Sequence, residues 1–345
     1  MAPTPEISVV IGAYRRSEFL PAAVQSVLAQ TAPRDAFEVL VVTDRDDPAL
    51  ARALDRSGVA VRTDPEPRIG AWLLAAVRAT RAPLVALLDD DDEFEPDRLQ
   101  AALSVFRAHP EIGLYRNRVS VIDRAGAPVP MARWSPLARD SRHDRRGPIA
   151  VAPGDRRGTM ALLEDAAEHS FNSSSMIFRR ALLDGDGADA FAATRLPDLA
   201  LVVLAALSPY ALYLDDRRRT RYREAAGSAT TRVPWLGIAA ESHARLGAYA
   251  ARRGFPELAT WLTDRSVHFD RMFRGESLVE RVRAASSRRD VADGAVEYLR
   301  FLGRHPREWS AALNVWSAPL YAGGYLLLPG ITRRMAITRP TAGRG

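Results

Sequence analysis

The stretch Leu84-Val85-Ala86-Leu87-Leu88-Asp89-Asp90-Asp91-Asp92 decides how the chain is read. A short apolar run bounded by polar residues describes a strand covered on both faces. The four consecutive aspartates that follow cannot belong to a core, because adjacent carboxylates repel and an unpaired buried charge is prohibitive. Asp92 or Glu93 could cap a helix starting after Pro96, but capping needs one acid, not four. A hard divalent cation, Mg2+ or Mn2+, resolves the conflict by taking carboxylate oxygens. Such ions bind through one or two carboxylates plus substrate phosphates, so the pattern points to a metal-bridged nucleoside diphosphate.

Working outward, Ile7-Ser8-Val9-Val10-Ile11-Gly12 is a second buried strand, ending at Ala13-Tyr14-Arg15-Arg16. Phe37 to Val42 is a third, stopping at Thr43-Asp44-Arg45-Asp46-Asp47, and Val59 to Arg62 makes a short fourth. Between them Phe19, Leu20, Val24, Val27 and Leu28 recur with helical period, and helices are predicted over Gly70–Arg81 and Leu99–Arg107. Alternating strands and helices give an α/β class with a Rossmann-like, mostly parallel central sheet flanked by helices. Ligands of such sheets bind outside the carboxyl ends of the strands, where all three polar clusters lie.

Further along, a strand is expected between Gly113 and Ile122, another at Met176–Phe178, a helix over Leu199–Leu207 and a strand over Tyr210–Leu214. Residues 133–160, with Arg139, Arg142, Arg145, Arg146, Arg156 and Arg157 among Gly and Pro, read as a long mobile loop, a candidate lid. The run Arg217-Arg218-Arg219-Thr220-Arg221-Tyr222-Arg223 is taken as a basic segment after the last strand. Beyond about 230 no strand pattern recurs, and 235–305 read as amphipathic helices. The expected organisation is a domain over 1–225, split into donor (1–110) and acceptor (111–225) halves, and a helical region over 226–345.

Composition narrows the function classes. Among 345 residues there is no cysteine, which excludes a disulfide scaffold, a Cys-ligated zinc and a thiol nucleophile. All 48 basic residues are arginine, against 42 acids. The ordinary source of that bias is GC-rich coding, although a rigid guanidinium fork also suits phosphate. Arginines interspersed with acids, without an RNA-module or helix-turn-helix signature, argue against nucleic acid as partner. The start, MAPTPEISVV, has no basic stretch followed by an apolar run, so a cytoplasmic protein is expected. Residues 309–332 carry no charge, but Pro319, Gly323, Gly324, Pro329 and Gly330 break a span. With Trp309, Trp316, Tyr321 and Tyr325, the segment reads either as a peripheral anchor at the inner face of a membrane or as a packed terminal helix or homo-oligomer contact.

In order, ISVVIGAYRR, FEVLVVTDRDD and LVALLDDDDEFEPDRL resemble the nucleotide-binding half of family 2 glycosyltransferases, which have the GT-A fold and a DXD motif. The resemblance is strong over the first 110 residues and extends to about 225. It implies metal-dependent, inverting transfer of a sugar from a nucleoside-diphosphate sugar, UDP being the common case with dTDP and GDP open, to an acceptor hydroxyl. Ala13, Tyr14 and Arg15 then pack on the nucleotide, with Tyr14 near the base, where it is otherwise an ordinary aromatic at a helix start. Asp44 takes the pyrimidine ring, Asp89 and Asp91 are the outer DXD pair that holds the metal, and Asp90 lies against ribose or sugar. Where the family has Arg or Asn near the base, this chain has Gly70-Ala71-Trp72-Leu73-Leu74-Ala75, so Arg68 is the nearest substitute.

The family's catalytic base is an acid at a helix start after the strand resembled by Phe171–Arg180. Asp198, in Leu196-Pro197-Asp198-Leu199, matches it, with proline where a second acid is usual; its other reading is a helix cap. Arg221 or Arg223 reaches the diphosphate from a closing loop, or else forms a solvated or membrane-facing edge. His169 is an acceptor-site residue or a surface histidine. The acceptor is left open among polysaccharide, lipid-linked and natural-product hydroxyls. A sugar-phosphate nucleotidyltransferase needs a Gly- and basic-rich loop that Ala13-Tyr14-Arg15-Arg16 does not supply. The alternative from another class is a catalytically silent nucleotide-sugar-binding scaffold with the same fold.

Overall fold

Strands buried on both faces need a helix layer on each side, and the chain supplies them in alternation. The computed structural model describes residues 4–14, 18–129, 148–166, 172–223, 233–284 and 288–305, with positions 318, 319, 322 and 326. The first elements are β1 (Ile7–Ala13), α1 (Leu20–Leu28), β2 (Phe37–Thr43), α2 (Pro48–Asp55), β3 (Ala60–Thr63), α3 (Ile69–Arg78), β4 (Leu84–Asp89), β5 (Glu93–Phe94) and α4 (Arg98–Ala108). They continue with β6 (Ile112–Ile122), β7 (Ile149–Val151), α5 (Arg156–Ala166), β8 (Met176–Arg179), α6 (Asp186–Ala193), α7 (Pro197–Ala206) and β9 (Ala211–Arg223). Three helices follow: α8 (Val233–Arg252), α9 (Pro256–Ala284) and α10 (Arg288–Arg304).

The sheet runs β3-β2-β1-β4-β8-β6-β9-β5, with β7 on β9. Its first four strands are mutually parallel. β8 then runs antiparallel between β4 and β6, joining this parallel half to β6 and β9, which are parallel to each other. Alternate residues divide between the faces. Ile7, Val9 and Ile11, Val39 and Val41, and Ala86 and Leu88 pack in one cluster with Leu20, Val24 and Val27 of α1 and Leu99, Leu103 and Phe106 of α4. On the opposite side α3 packs against β1 and α6, and α7 against β6 and β9. The amide of Leu99 near the start of α4 donates 2.8 Å to the Gln30 side-chain oxygen, while the Gln30 amide donates 2.7 Å to the Glu95 carbonyl. Neither Asp92 nor Glu93 caps that helix; Asp97 occupies the cap position.

Two expectations about loops are corrected. Within 133–160, residues 149–151 form β7 against β9 and α5 starts at Arg156, because Ile149 and Val151 fill edge positions opposite Leu214 and Leu212. Residues 133–147 lie outside the described residues, as does His169. The basic run is likewise no closing loop: β9 continues to Arg223, paired with β6 and β5.

The chain divides into two compact units, 1–226 with 248–258, and 227–247 with 259–345. In the first, Tyr249 and Arg253 both reach the Asp186 carboxylate. In the second, Leu278, Val279 and Val282 of α9 pack on Val291, Tyr298, Phe301 and Leu302 of α10. His243 lies buried there with its ring 5.1 Å from that of Phe269, and burial pulls its pKa down to about 4. Among the described residues no helix is long and apolar enough to cross a membrane; of 309–332, only 318, 319, 322 and 326 are described.

The α3–α6 contact requires a glycine. A Cβ at Gly70 would collide with the Phe191 carbonyl and stand 2.5 Å from that of Thr194. Gly→Ala in a helix ordinarily stabilises by about 1 kcal/mol. Gly70→Ala is expected to reverse that sign and cost about 1–3 kcal/mol of overpacking, read as a lowered urea midpoint.

Candidate active site

The site lies where the winding of the sheet reverses. From β1 the chain steps outward to β2 and β3, whereas β4 adds on the other side of β1, and this divergence opens a crevice at the strands' carboxyl ends. Gly12 and Asp89 are register partners across it, and the Asp90 amide donates 3.2 Å to the Gly12 carbonyl. Ala13 and Tyr14 therefore leave β1 beside the aspartates leaving β4. The Tyr14 ring meets Trp72 of α3 edge-on, with centroids 5.7 Å apart. Trp72 is buried against Gly12, where a Cβ would come within 3.1 Å of its ring.

Asp44 follows the end of β2. The register Thr43↔Thr63 sets Asp64 next to it, and the Asp64 amide donates 2.9 Å to the Thr43 carbonyl. The Trp72 indole donates 2.9 Å to the Asp64 carbonyl, so Tyr14, Trp72, Asp64 and Asp44 form one connected wall. The sequence reading missed Asp64 and Trp72. Asp64 carries the same signal as Asp44, an acid directly after a strand. Arg68 is 69% exposed at the N-cap of α3 and forks onto Glu66 at 2.8 and 2.9 Å, pulling that carboxyl down to about 2. Arg15 lies outside the described residues.

The four aspartates separate by burial: Asp90 and Asp92 are inside, 3% and 1% exposed, while Asp89 and Asp91 are only partly covered. Asp92 is held by the Arg223 amide at 2.9 Å, the Asn172 side-chain amide at 3.2 Å and the Ser174 hydroxyl. Burial pushes its carboxyl well up, and the charges of Asp89 and Asp91 push it further. Register explains how residues so distant in sequence arrive here. β4 and β8 pair antiparallel through Ala86↔Ile177, and three more steps set Ser174 opposite Asp89. The Asp89 amide donates 3.0 Å to the Ser174 hydroxyl, and the Ser173 hydroxyl lies 3.2 Å from both Asp89 carboxylate oxygens.

A buried polar chain backs this serine turn. The Ser174 carbonyl accepts from Thr220 at 3.2 Å, Thr220 from the Asn117 amide at 2.9 Å, and Asn117 from the Arg98 guanidinium at 2.9 Å. Arg98 is fully buried, its guanidinium 3.8 Å over the Phe94 ring. The sequence reading found none of these supports.

Arg221 and Arg223 brace the acid turn, which corrects their assignment to a loop closing over the diphosphate. Arg223 donates to the carbonyls of Asp91 at 2.8 Å and Asp123 at 2.7 Å, pairs with Glu93 and stacks 4.6 Å from the Phe19 centroid. Arg221 pairs with the other Glu93 oxygen at 2.5 Å and donates to the Gly126 carbonyl at 2.6 Å.

Asp198 is the second residue of α7, after Pro197, and Leu196 holds the cap position, so the acid is not the helix cap. Its carboxylate accepts from the Leu199 amide at 2.8 Å. Burial pushes its pKa up to about 6, with that hydrogen bond and the charge of buried Arg116 on β6 acting in the opposite sense. Arg116 was not singled out in the sequence, although an arginine inside an otherwise apolar strand is a visible anomaly.

Among the described residues no group of three or more His, Cys, Asp or Glu could hold a metal alone. Asp89 and Asp91 supply two hard oxygen donors, the number that Mg2+ or Mn2+ takes from a protein when a diphosphate completes its shell, so the donor set fits.

Removing Arg223 tests the brace. A buried pair broken from one side costs about 3–5 kcal/mol. Arg223→Leu is expected near the lower end, because Arg221 stays on Glu93, and Arg221→Ala well below it. Urea denaturation of both variants ranks them; equal losses would refute the assignment.

The family described as Glycosyl transferase family 2 matches residues 8–171. The succinoglycan biosynthesis protein ExoO of Rhizobium meliloti (strain 1021) is 26% identical over 213 residues, 59% of this chain and 56% of that protein. The match thus spans just over half the length of that relative. The crystal structure of S. aureus TarS 1–349 in complex with UDP-GlcNAc is similar with a TM-score of 0.57 at 12% identity, covering 96% of this chain and 89% of that one. The same protein in complex with UDP gives 0.52 at 14% identity, covering 96% and 88%. The chain has the GT-A fold, and its residues 8–171 match the family 2 glycosyltransferases.

Proposed function

We propose that the chain transfers a sugar from a nucleoside-diphosphate sugar to an acceptor hydroxyl, with inversion and with Mg2+ or Mn2+. The observation that carries this reading is the split acid turn at the β1/β4 crevice: two aspartates buried and braced, two left partly open, within the residues that match family 2. UDP is the proposed nucleotide, supported by the UDP and UDP-GlcNAc complexes of TarS. Tyr14, Trp72, Asp44 and Asp64 form the wall for base and ribose. Asp89 and Asp91 hold the cation, which when bound supplies positive charge to the departing diphosphate.

Asp198 is the general base. As the acceptor oxygen bonds to the anomeric carbon, the bond from that carbon to the diphosphate oxygen breaks. The hydroxyl proton passes to Asp198, and the nucleoside diphosphate leaves with the bonding electrons. A carboxyl with a pKa of about 6 suits this role, being ionised at neutral pH yet more basic than an ordinary aspartate.

The working form is the ionised one, so kcat/KM should rise with pH through about 6 and level off above it. Asp198→Asn is expected to lose about 10²–10⁴-fold in kcat while still binding nucleotide. Unchanged turnover in that variant would sink the assignment of Asp198 as the base, whereas no turnover by wild type, with biological activity that survives Asp198→Asn, would favour the silent scaffold. Calorimetric titration of UDP, dTDP, GDP and ADP with Mn2+ or EDTA tests the donor side. One nucleotide should bind in a metal-dependent manner and Asp91→Ala should abolish it; binding of none by the folded protein would refute the donor site.

A further inference from the structure

We propose that Ser173 is a specificity-determining residue for the cation: its hydroxyl occupies the edge of Asp89 that a two-oxygen ligand would use, and so selects Mg2+ or Mn2+ over Ca2+. The inference rests on the metal-dependent reading above. Asp89 closes β4 as the register partner of Gly12, and its carboxylate is met from outside its own strand. The Ser173 hydroxyl is hydrogen-bonded at 3.2 Å to both oxygens at once. Equal distances put it on the plane bisecting the carboxylate, and hydrogen-bond angles at both oxygens put it on their outer side and not over the carboxyl carbon. That position is the bidentate edge. A single-oxygen ligand bond is made from the outer side of one oxygen, away from that edge.

The occupant is held in place. Ser173 is 7% exposed and begins a 3-10 turn whose Asn172 side-chain oxygen accepts from the Ser175 amide at 3.1 Å. The Ser175 hydroxyl returns 2.7 Å to the Asn172 carbonyl. Ser174, next in line, is fixed by the Asp89 amide on one side and by Thr220 on the other. The chain through Thr220, Asn117 and Arg98 fixes the backbone that carries Ser173, so its hydroxyl leaves the edge only by rotating about χ1 and giving up both contacts to Asp89. Ca2+ readily takes bidentate carboxylates in flexible shells of six to eight oxygens, whereas Mg2+ demands compact octahedral geometry from single oxygens. Limiting Asp89 to one oxygen therefore handicaps Ca2+ and leaves Mg2+ and Mn2+ unaffected.

The test measures UDP binding by calorimetry at fixed Mn2+, Mg2+ or Ca2+ for wild type, Ser173→Ala and Ser173→Thr, with Ser104→Ala on the exposed face of α4 as control. Ser173→Gly replaces the alanine variant should that one not fold. The reading is the ratio of Ca2+-supported to Mn2+-supported affinity, which a general loosening of the fold would not move. Removing the hydroxyl should raise that ratio about tenfold or more, within the 10–100-fold range of ligand-supporting groups, and threonine should restore it. Metal-dependent binding with the same ratio in wild type and the hydroxyl-free variant overturns the inference alone. Wild-type binding indifferent to EDTA overturns the metal-dependent reading and this inference with it.

Discussion

Asp92 is the constraint on which the acid turn depends. A fully buried carboxyl costs several kcal/mol unless its oxygens are met by donors, and two charged neighbours raise that cost. The fold answers with an amide from β9, an amide side chain from Asn172 and a hydroxyl from Ser174. Anchoring Asp92 inward fixes the pitch of the whole tetrad, so Asp90 turns in and Asp89 and Asp91 turn out. Four identical residues thus acquire two different roles from the donors around them. Arg223 completes the arrangement by gripping the Asp91 carbonyl, which fixes the backbone of that partly covered aspartate.

The parallel half of the sheet was legible because its strands are covered on both faces and so read as unbroken apolar runs. β1, β2 and β4 fall within a residue or so of their expected spans, and α1, α3 and α4 follow the apolar period of their sequences. β9 was not legible past Leu214. Its later residues carry charge at nearly every position, and what makes them a strand is remote: Arg219 meets Asp97, and Arg221 and Arg223 meet Glu93. A strand whose inward face is satisfied by ion pairs has no apolar alternation to show. β7 failed for a related reason, since three residues are too few for a pattern and their pairing partner lies some sixty positions onward.

The site was legible where chemistry sits at a strand end and opaque where it is lent from elsewhere. Asp44 and the tetrad announce themselves by following apolar runs. Nothing local marks Asn172, Ser173 and Ser174, which read as the polar start of a strand. Their meaning comes from the register that sets that strand against β4. Arg98 is harder still. An arginine at the head of a helix looks solvated, yet this one is buried beneath Phe94 and anchors the polar chain that ends at the acid turn.

The acid turn is consequently not built from the first 110 residues alone. β8 is the strand that joins the two halves of the sheet, and the turn entering it faces the end of β4 because antiparallel pairing leaves no other place for it. The same step that closes the sheet carries two hydroxyls and an amide onto Asp89 and Asp92. β9 then arrives beside β6 and adds the Arg223 clamp. A chain ending at 110 would hold all four aspartates and none of these donors, leaving Asp92 a buried carboxyl without its partners. In this fold the acids come from the first half, but the geometry that makes them a site comes from the second.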